Sequence, residues 1–217
     1  MPNAVIAAQP GKLVDTNIRL NPVVLSAVKA QGYTGVIRYV PLPGLDDTND
    51  IHPDELDAIM ESGLGLMLVQ HVRFPHWDPR DHSGAADAQT AAQFASQVGY
   101  LPGAHIFIDL EGIVPGTGGA TKAFAGAWAK TIAAAGYNAG CYVGFDVPLT
   151  PQELYDLEVI NSYWSDAGLR AVAVRGFALK QESEIAIAGV SFDPDTLTRD
   201  LKGETPFWMI SGPLDVG

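Results

Sequence analysis

Residues 104–112 read AHIFIDLEG. Bulky apolar residues alternate through this stretch, Pro102-Gly103 precedes it and Gly112 closes it, so it reads as one β-strand. Successive side chains on a strand point to opposite faces, which puts Ile106, Ile108 and Leu110 on one side and Phe107, Asp109 and Glu111 on the other. Two carboxylates therefore share a face at the C-terminal end of an apolar strand. A buried strand gains no stability from ending in two like charges that must be desolvated. Parallel α/β folds, in contrast, place their chemistry at that end. The alternative is that both acids cap neighbouring backbone or pair with arginines.

Working outward, the same grammar repeats. Strands are expected at residues 13–17 (LVDTN), 34–40 (TGVIRYV), 65–72 (GLMLVQHV), 138–145 (NAGCYVGF), 161–167, 176–181 and 185–193, with residues 1–12 as a loose lead-in. Helices fall between them. Asn21-Pro22 supplies an N-cap and a first-turn proline, and Thr150-Pro151-Gln152-Glu153 is a capping box. Four helices end in Gly followed by Tyr or Leu: Gly32-Tyr33, Gly63-Leu64, Gly99-Tyr100 and Gly136-Tyr137. Spacings of 31, 36 and 37 residues match a repeated βα unit. Strands alternating with helices imply a parallel sheet with right-handed crossovers. Eight strands favour a single (β/α)8 TIM-type barrel domain over residues 1–217, its later helices short. A doubly wound open sheet is the alternative, weakened by the lack of a GxGxxG fingerprint after the first strand.

Composition narrows the partners. The net charge of −12 repels phosphate backbones and anionic headgroups, so neither nucleic acid nor a membrane surface is expected. No run approaches 18 apolar residues, and no membrane insertion is expected. The first twelve residues have no basic n-region, so synthesis in the cytoplasm without a signal peptide is expected; action on a cell wall would need another route of release. Cys141 lies in an apolar run and reads as a small, unreactive core residue. A monomer is expected.

The C-terminal ends of the strands carry Asp15, Asn17, Arg38, Tyr39, Gln70, His71, Asp109, Glu111, Tyr142, Trp164, Asp166, Gln181 and Asp193. A barrel brings these to one face. Carboxylates, amides, aromatics and one arginine describe a pocket for a neutral polyhydroxylated ligand, since carboxylates act as acid, base or charge stabiliser and aromatic faces stack on sugar rings. Arg38 and Gln181 could instead neutralise or orient buried acids, and Tyr142 and Trp164 could be ordinary core aromatics. Three histidines and two aspartates in residues 71–82 (HVRFPHWDPRDH) could supply zinc ligands, but the Pro-broken loop would have to fold back tightly and two arginines sit among them. A substrate-contacting lid is the preferred reading; no metal and no cofactor are expected. VPGTGG lacks the Lys-Ser/Thr of a phosphate loop.

VDTN, RYV, IDLE, GCYVGF and SFD, in that order, resemble the lysozyme-like barrels of glycoside hydrolase family 25, and still more closely the related "glycoside hydrolase-like" domain family. Matched motif by motif, the resemblance implies an active site of Asp15, Asp109, Glu111 and Asp193. Leu13 stands where the lysozymes usually carry Gly, and RYVPLPG differs from their second-strand motif. The implied activity is hydrolysis of an amino-sugar glycan such as bacterial cell-wall peptidoglycan. Glu111 is then the general acid, its proton affinity raised by Asp109 and Asp15. Asp109 orients an N-acetyl group or stabilises positive charge, and Asp15 or Asp193 serves as base or electrostatic support. Asn17, Arg38, Tyr39, Gln70, His71, Tyr142, Trp164 and Gln181 are the expected substrate contacts. The alternative is a carbohydrate-binding or interaction module on the same barrel without turnover.

Overall fold

The computed structural model describes residues 1–8, 10–45, 48–166 and 171–212. In chain order its elements are β1 (Asn3–Ile6), β2 (Gly11–Thr16), α1 (Pro22–Ala30), β3 (Gly35–Val40), α2 (Pro53–Ser62), β4 (Gly65–Gln70), α3 (Gly84–Val98), β5 (His105–Leu110), α4 (Gly118–Ala134), β6 (Asn138–Val143), α5 (Pro151–Tyr155), β7 (Ser162–Ser165), β8 (Leu179–Gln181), β9 (Ile185–Ile187), β10 (Val190–Leu197) and β11 (Phe207–Ile210). Strands β2 to β8 pair in sequence, each parallel to the next, and β10 closes the ring between β8 and β2. This is the expected α/β barrel of TIM type, with α5 reduced to five residues. The expected end at Ala167 of the strand over residues 161–167 lies outside the described residues.

Local signals set the helix ends. The Asn21 side chain accepts from the Val23 and Val24 amides ahead of Pro22, and Thr150 with Glu153 forms the capping box in both directions. Gly32, Gly63, Gly99 and Gly136 all adopt positive φ, between 75° and 90°. A side chain there would be strained, so glycine stops each helix and turns the chain back into the barrel. The aromatic that follows is used as well: Tyr100 donates to the His105 carbonyl at 2.7 Å, tying the exit of α3 to the start of β5.

Side-chain alternation splits the core in two. Ile106, Ile108 and Leu110 pack with the helices, among Ala91, Ala95, Trp128 and Ile132. Phe107 packs inside the barrel with Leu13, Ile37, Val69, Trp164 and Leu197. Cys141 is wholly buried on the helix side, and burial pushes its thiol upward, against reactivity.

Two expectations fail here. The sequence reading makes residues 185–193 one strand and the barrel parallel throughout. Instead a two-residue turn at Ala188-Gly189, both at positive φ, makes β9 and β10 a hairpin, and β10 runs antiparallel to both barrel neighbours. Its mouth end is therefore its start. The second concerns residues 1–12: β1 is a strand paired with β11 from Asn3↔Ile210 to Ile6↔Phe207, and β11 joins β4 at Met209↔Leu66. Together they cover the bottom of the barrel. The Trp208 ring fills the space a side chain would need at Gly35 and Gly65.

His105 ties this cover to the barrel. Its Nδ1 accepts from the Phe207 amide at 2.9 Å, so the proton resides on Nε2, which meets Asn161 Oδ1 at 2.7 Å. Burial pushes its pKa down from 6.5 to about 4. The native state thus favours neutral imidazole, and its contribution is whole above pH 6.5. Stability falls as the pH drops from there toward 4, because the unfolded chain takes up the proton first. The expected loss is roughly 3 kcal/mol over that window. Denaturation midpoints at pH 7 and pH 4.5 for wild type and His105→Asn check this; an equal pH dependence in both would refute it.

Candidate active site

The mouth is built around Asp15, the last inward residue of β2. Its Oδ2 accepts from Gln181 Nε2 at 3.0 Å and its Oδ1 from the Tyr39 hydroxyl at 3.3 Å. Gln181 is held in turn by the Tyr142 hydroxyl at 2.8 Å, and Tyr142 stands edge-on to Trp164 with ring centroids 4.6 Å apart. Burial raises Asp15 to about 7, against the lowering by the Gln181 hydrogen bond, with the charge of Asp193 adding to the rise. The antiparallel register places Asp193 directly opposite Asp15. A cavity of about 170 Å3 opens at this point, with Asn17, Tyr39, Glu184 and Asp193 among its walls.

Asp109 and Glu111 complete the cluster. Asp109 is buried, its Oδ1 has no hydrogen-bond partner, and its proton affinity is raised well above the ordinary range by burial and by the charges of Glu111 and Asp15. Glu111, one residue past β5 and half-buried, is raised to about 7, first by burial and then by Asp166. Its seat depends on neighbours that carry no charge. The Trp77 indole donates to the Glu111 carbonyl at 2.8 Å, and Gly144 leaves the space where a Cβ would run into the Glu111 carboxylate and the Tyr142 ring. Gly112, at φ 61°, sits against Pro75 and donates to the Phe145 carbonyl at 2.8 Å. The loop at residues 71–82 is thus pinned to the end of β5. His71 meets Asp50 at 2.7 Å and lies against Tyr39, the rings tilted by 38° with centroids 4.8 Å apart. Among the described residues, no group of three or more His, Cys, Asp or Glu is placed to hold a metal ion. Beyond His71 the mouth continues into a groove of about 690 Å3, with Leu42, Leu45, Phe74 and Pro75 in its largely apolar lining.

Asp15, Asn17, Tyr39, His71, Asp109, Glu111, Tyr142, Trp164, Gln181 and Asp193 thus gather at or just beneath the mouth. Arg38 and Gln70 do not. Both sit at outward positions of their strands and are buried, so proximity to a strand end did not bring either of these expected substrate contacts to the mouth. Arg38 is fully buried against α2, donating Nε to Glu55 Oε1 at 2.6 Å and Nη2 to the Asn49 carbonyl at 2.6 Å, with Nη1 on the Thr16 carbonyl. Gln70 bridges the Pro41 and Asp87 carbonyls and accepts from Trp128. The sequence reading also missed Asp195. It is buried on the same face as Asp193, two residues further along β10, and that spacing is the signal that could have found it.

The expected cause of the Glu111 shift also needs correction. Burial of Glu111 comes first, and the raised proton affinity of the more deeply buried Asp109 favours its neutral form. The charge that acts on Glu111 is that of Asp166. In a pH–rate profile, Asp166→Asn should move the alkaline limb toward lower pH, since removing a nearby negative charge makes Glu111 easier to ionise. Asp109→Asn should lower activity but leave that limb in place. Equal movement in both variants would overturn this ordering.

The closed α/β barrel and the acids clustered at its mouth agree with a glycoside hydrolase-like class of protein. The Rv2525c-like, glycoside hydrolase-like domain family matches residues 26–174, more than half of the chain, and the chain belongs to that family. A search of curated protein sequences found no match. Solved structures share the fold. An uncharacterised protein of B. stearothermophilus superposes with a TM-score of 0.66 at 17% identity, covering 87% of this chain and 96% of that one. The modular autolysin LytC from Streptococcus pneumoniae, in complex with a synthetic peptidoglycan ligand, gives 0.64 at 16% identity, covering 88% and 47%. The multimodular pneumococcal cell wall endolysin from phage Cp-1, complexed with choline, gives 0.59 at 18% identity, covering 89% and 56%. The chain spans about half the length of these two lysins.

Proposed function

We propose that this protein is a glycoside hydrolase of an amino-sugar polymer, bacterial cell-wall peptidoglycan, and that Glu111 is its general acid. The observation that carries this reading is the Glu111 carboxyl, half-buried at the mouth and raised to about 7 beside the buried Asp109. A general acid must hold its proton until the glycosidic bond breaks, and a proton affinity near neutral suits that task. Asp109, whose burial favours its protonated form, is assigned to orienting the N-acetyl group of the substrate. Asp15, fixed by Gln181 and Tyr39, supplies negative charge for the oxocarbenium-like transition state. Tyr39 and His71 line the approach. The groove beyond His71 offers apolar surface to the parts of a polymer that flank the scissile bond.

Autolysin and endolysin neighbours of the same fold, one of them with a peptidoglycan ligand, support cell-wall glycan as the substrate to test. The test is release of reducing ends from purified peptidoglycan. Release by wild type that Glu111→Gln reduces by roughly 10²–10⁴-fold is the expected result. Binding of glycan without any release would favour a carbohydrate-binding module instead.

A further inference from the structure

Asp195 has no part in that reading, yet it is buried directly behind the site. It lies on β10 opposite Leu13, one inward position deeper than the Asp193–Asp15 pair, and beside Gln181 in the β8 register. It is 1% exposed. One of its oxygens is occupied: Oδ1 accepts from the Trp164 indole at 2.7 Å. The other, Oδ2, is sealed from solvent and accepts no hydrogen bond from any donor among the described residues. The nearby acid is Asp15, and the two carboxyls meet: burial raises both, while their contact favours the anion of Asp15 and the acid of Asp195.

We propose that Asp195 is a positioning residue that keeps a proton on Oδ2 and presents it to Asp15, so that Asp15 is the carboxylate of the pair. Two buried carboxylates without a cation between them cannot both be charged, and one proton must be retained. The retained proton belongs on Asp195 for a geometric reason. Asp15 already accepts from Gln181 and Tyr39, which favours its anion, whereas Asp195 accepts a single N–H and has no contact with solvent. Burial and the Asp15 charge raise Asp195 well above the ordinary carboxylate range. Among the described residues, the other titratable groups that act on the pair are Tyr33 and Tyr39 from around β3, Asp109 from β5, Tyr142 from β6 and Asp193 from β10 itself, and none of these is a cation. With the Asp195 hydroxyl, Asp15 would have three donors fixing its orientation toward the mouth. The catalytic meaning of this arrangement rests on the hydrolase reading, but the placement of the proton does not.

The experiment therefore reads the proton without turnover. Aspartate carboxyl carbons are labelled with 13C, the Asp15 resonance is assigned by its loss in Asp15→Asn, and its titration midpoint is followed in wild type, Asp195→Asn and Asp195→Val. An asparagine amide keeps both a donor toward Asp15 and an acceptor for Trp164, so Asp195→Asn should move the midpoint by less than about half a pH unit. Asp195→Val removes the donor and should raise the midpoint by about one pH unit. A fall of a full pH unit in Asp195→Asn would mean that Asp195 is an anion repelling Asp15, and an unmoved midpoint in Asp195→Val would mean that it donates nothing. Either result overturns the proposal, and Asp195→Asn decides alone if Asp195→Val does not fold. Should peptidoglycan not be cleaved at all, the titrations stand by themselves.

Discussion

Glu111→Gln should reduce kcat on cell-wall glycan by roughly 10²–10⁴-fold while leaving KM close to that of wild type. Glutamine keeps the shape of the side chain and can still hydrogen-bond the glycosidic oxygen, but it has no proton to give the leaving group. The seat itself should persist, because Trp77 holds the backbone carbonyl of residue 111 and not its carboxylate, and Gly144 leaves room for either side chain. In wild type, activity should be highest near pH 7: it should fall at lower pH, where Asp15 takes up a proton, and on the alkaline side, where Glu111 loses its own. The residual activity of Glu111→Gln should show no such alkaline limb. Turnover like that of wild type in the variant would end the assignment of Glu111 as the acid.

The second large effect is on stability. Glu55→Gln removes the charge that balances Arg38 in a place where neither side chain has any exposure. The amide can still accept from the Leu20 amide, as Glu55 Oε1 does at 2.9 Å, so packing and backbone satisfaction are nearly kept. What remains is a buried guanidinium with only carbonyl partners, at Thr16 and Asn49. Breaking a buried pair in this way costs about 3–5 kcal/mol. For a chain of this length that lowers Tm by roughly 10 °C. The double variant Arg38→Met/Glu55→Leu should lose less than Glu55→Gln, because it leaves no charge stranded. Unchanged thermal unfolding in Glu55→Gln would show that the pair carries little, and would reopen a role for Arg38 outside the core.

The sequence by itself determined the repeat, and with it the barrel. Four glycine helix stops at near-constant spacing are local signals, readable because positive φ is a property of one residue and its neighbours. The alternation in residues 104–112 likewise settled which side of β5 the acids take, and Asp109 and Glu111 lie at the mouth as that alternation requires. Other features depend on partners distant in the chain. β1 is a strand because residues 207–210 lie beside it, and nothing within residues 1–12 shows that pairing. The antiparallel course of β10 follows from the turn at Ala188-Gly189 and from the gap left between β8 and β2, which exists only once seven strands have closed on themselves. Tertiary structure also decided the fate of the polar strand-end residues. Tyr39 and Arg38 are adjacent in sequence, but the first faces Asp15 at the mouth and the second is sealed against Glu55, since a single step along a strand reverses the face. Proton placement was the least legible feature of all. It depends on which carboxyl is buried deepest and which has donors already, and burial is a property of the closed barrel, not of any stretch of the chain.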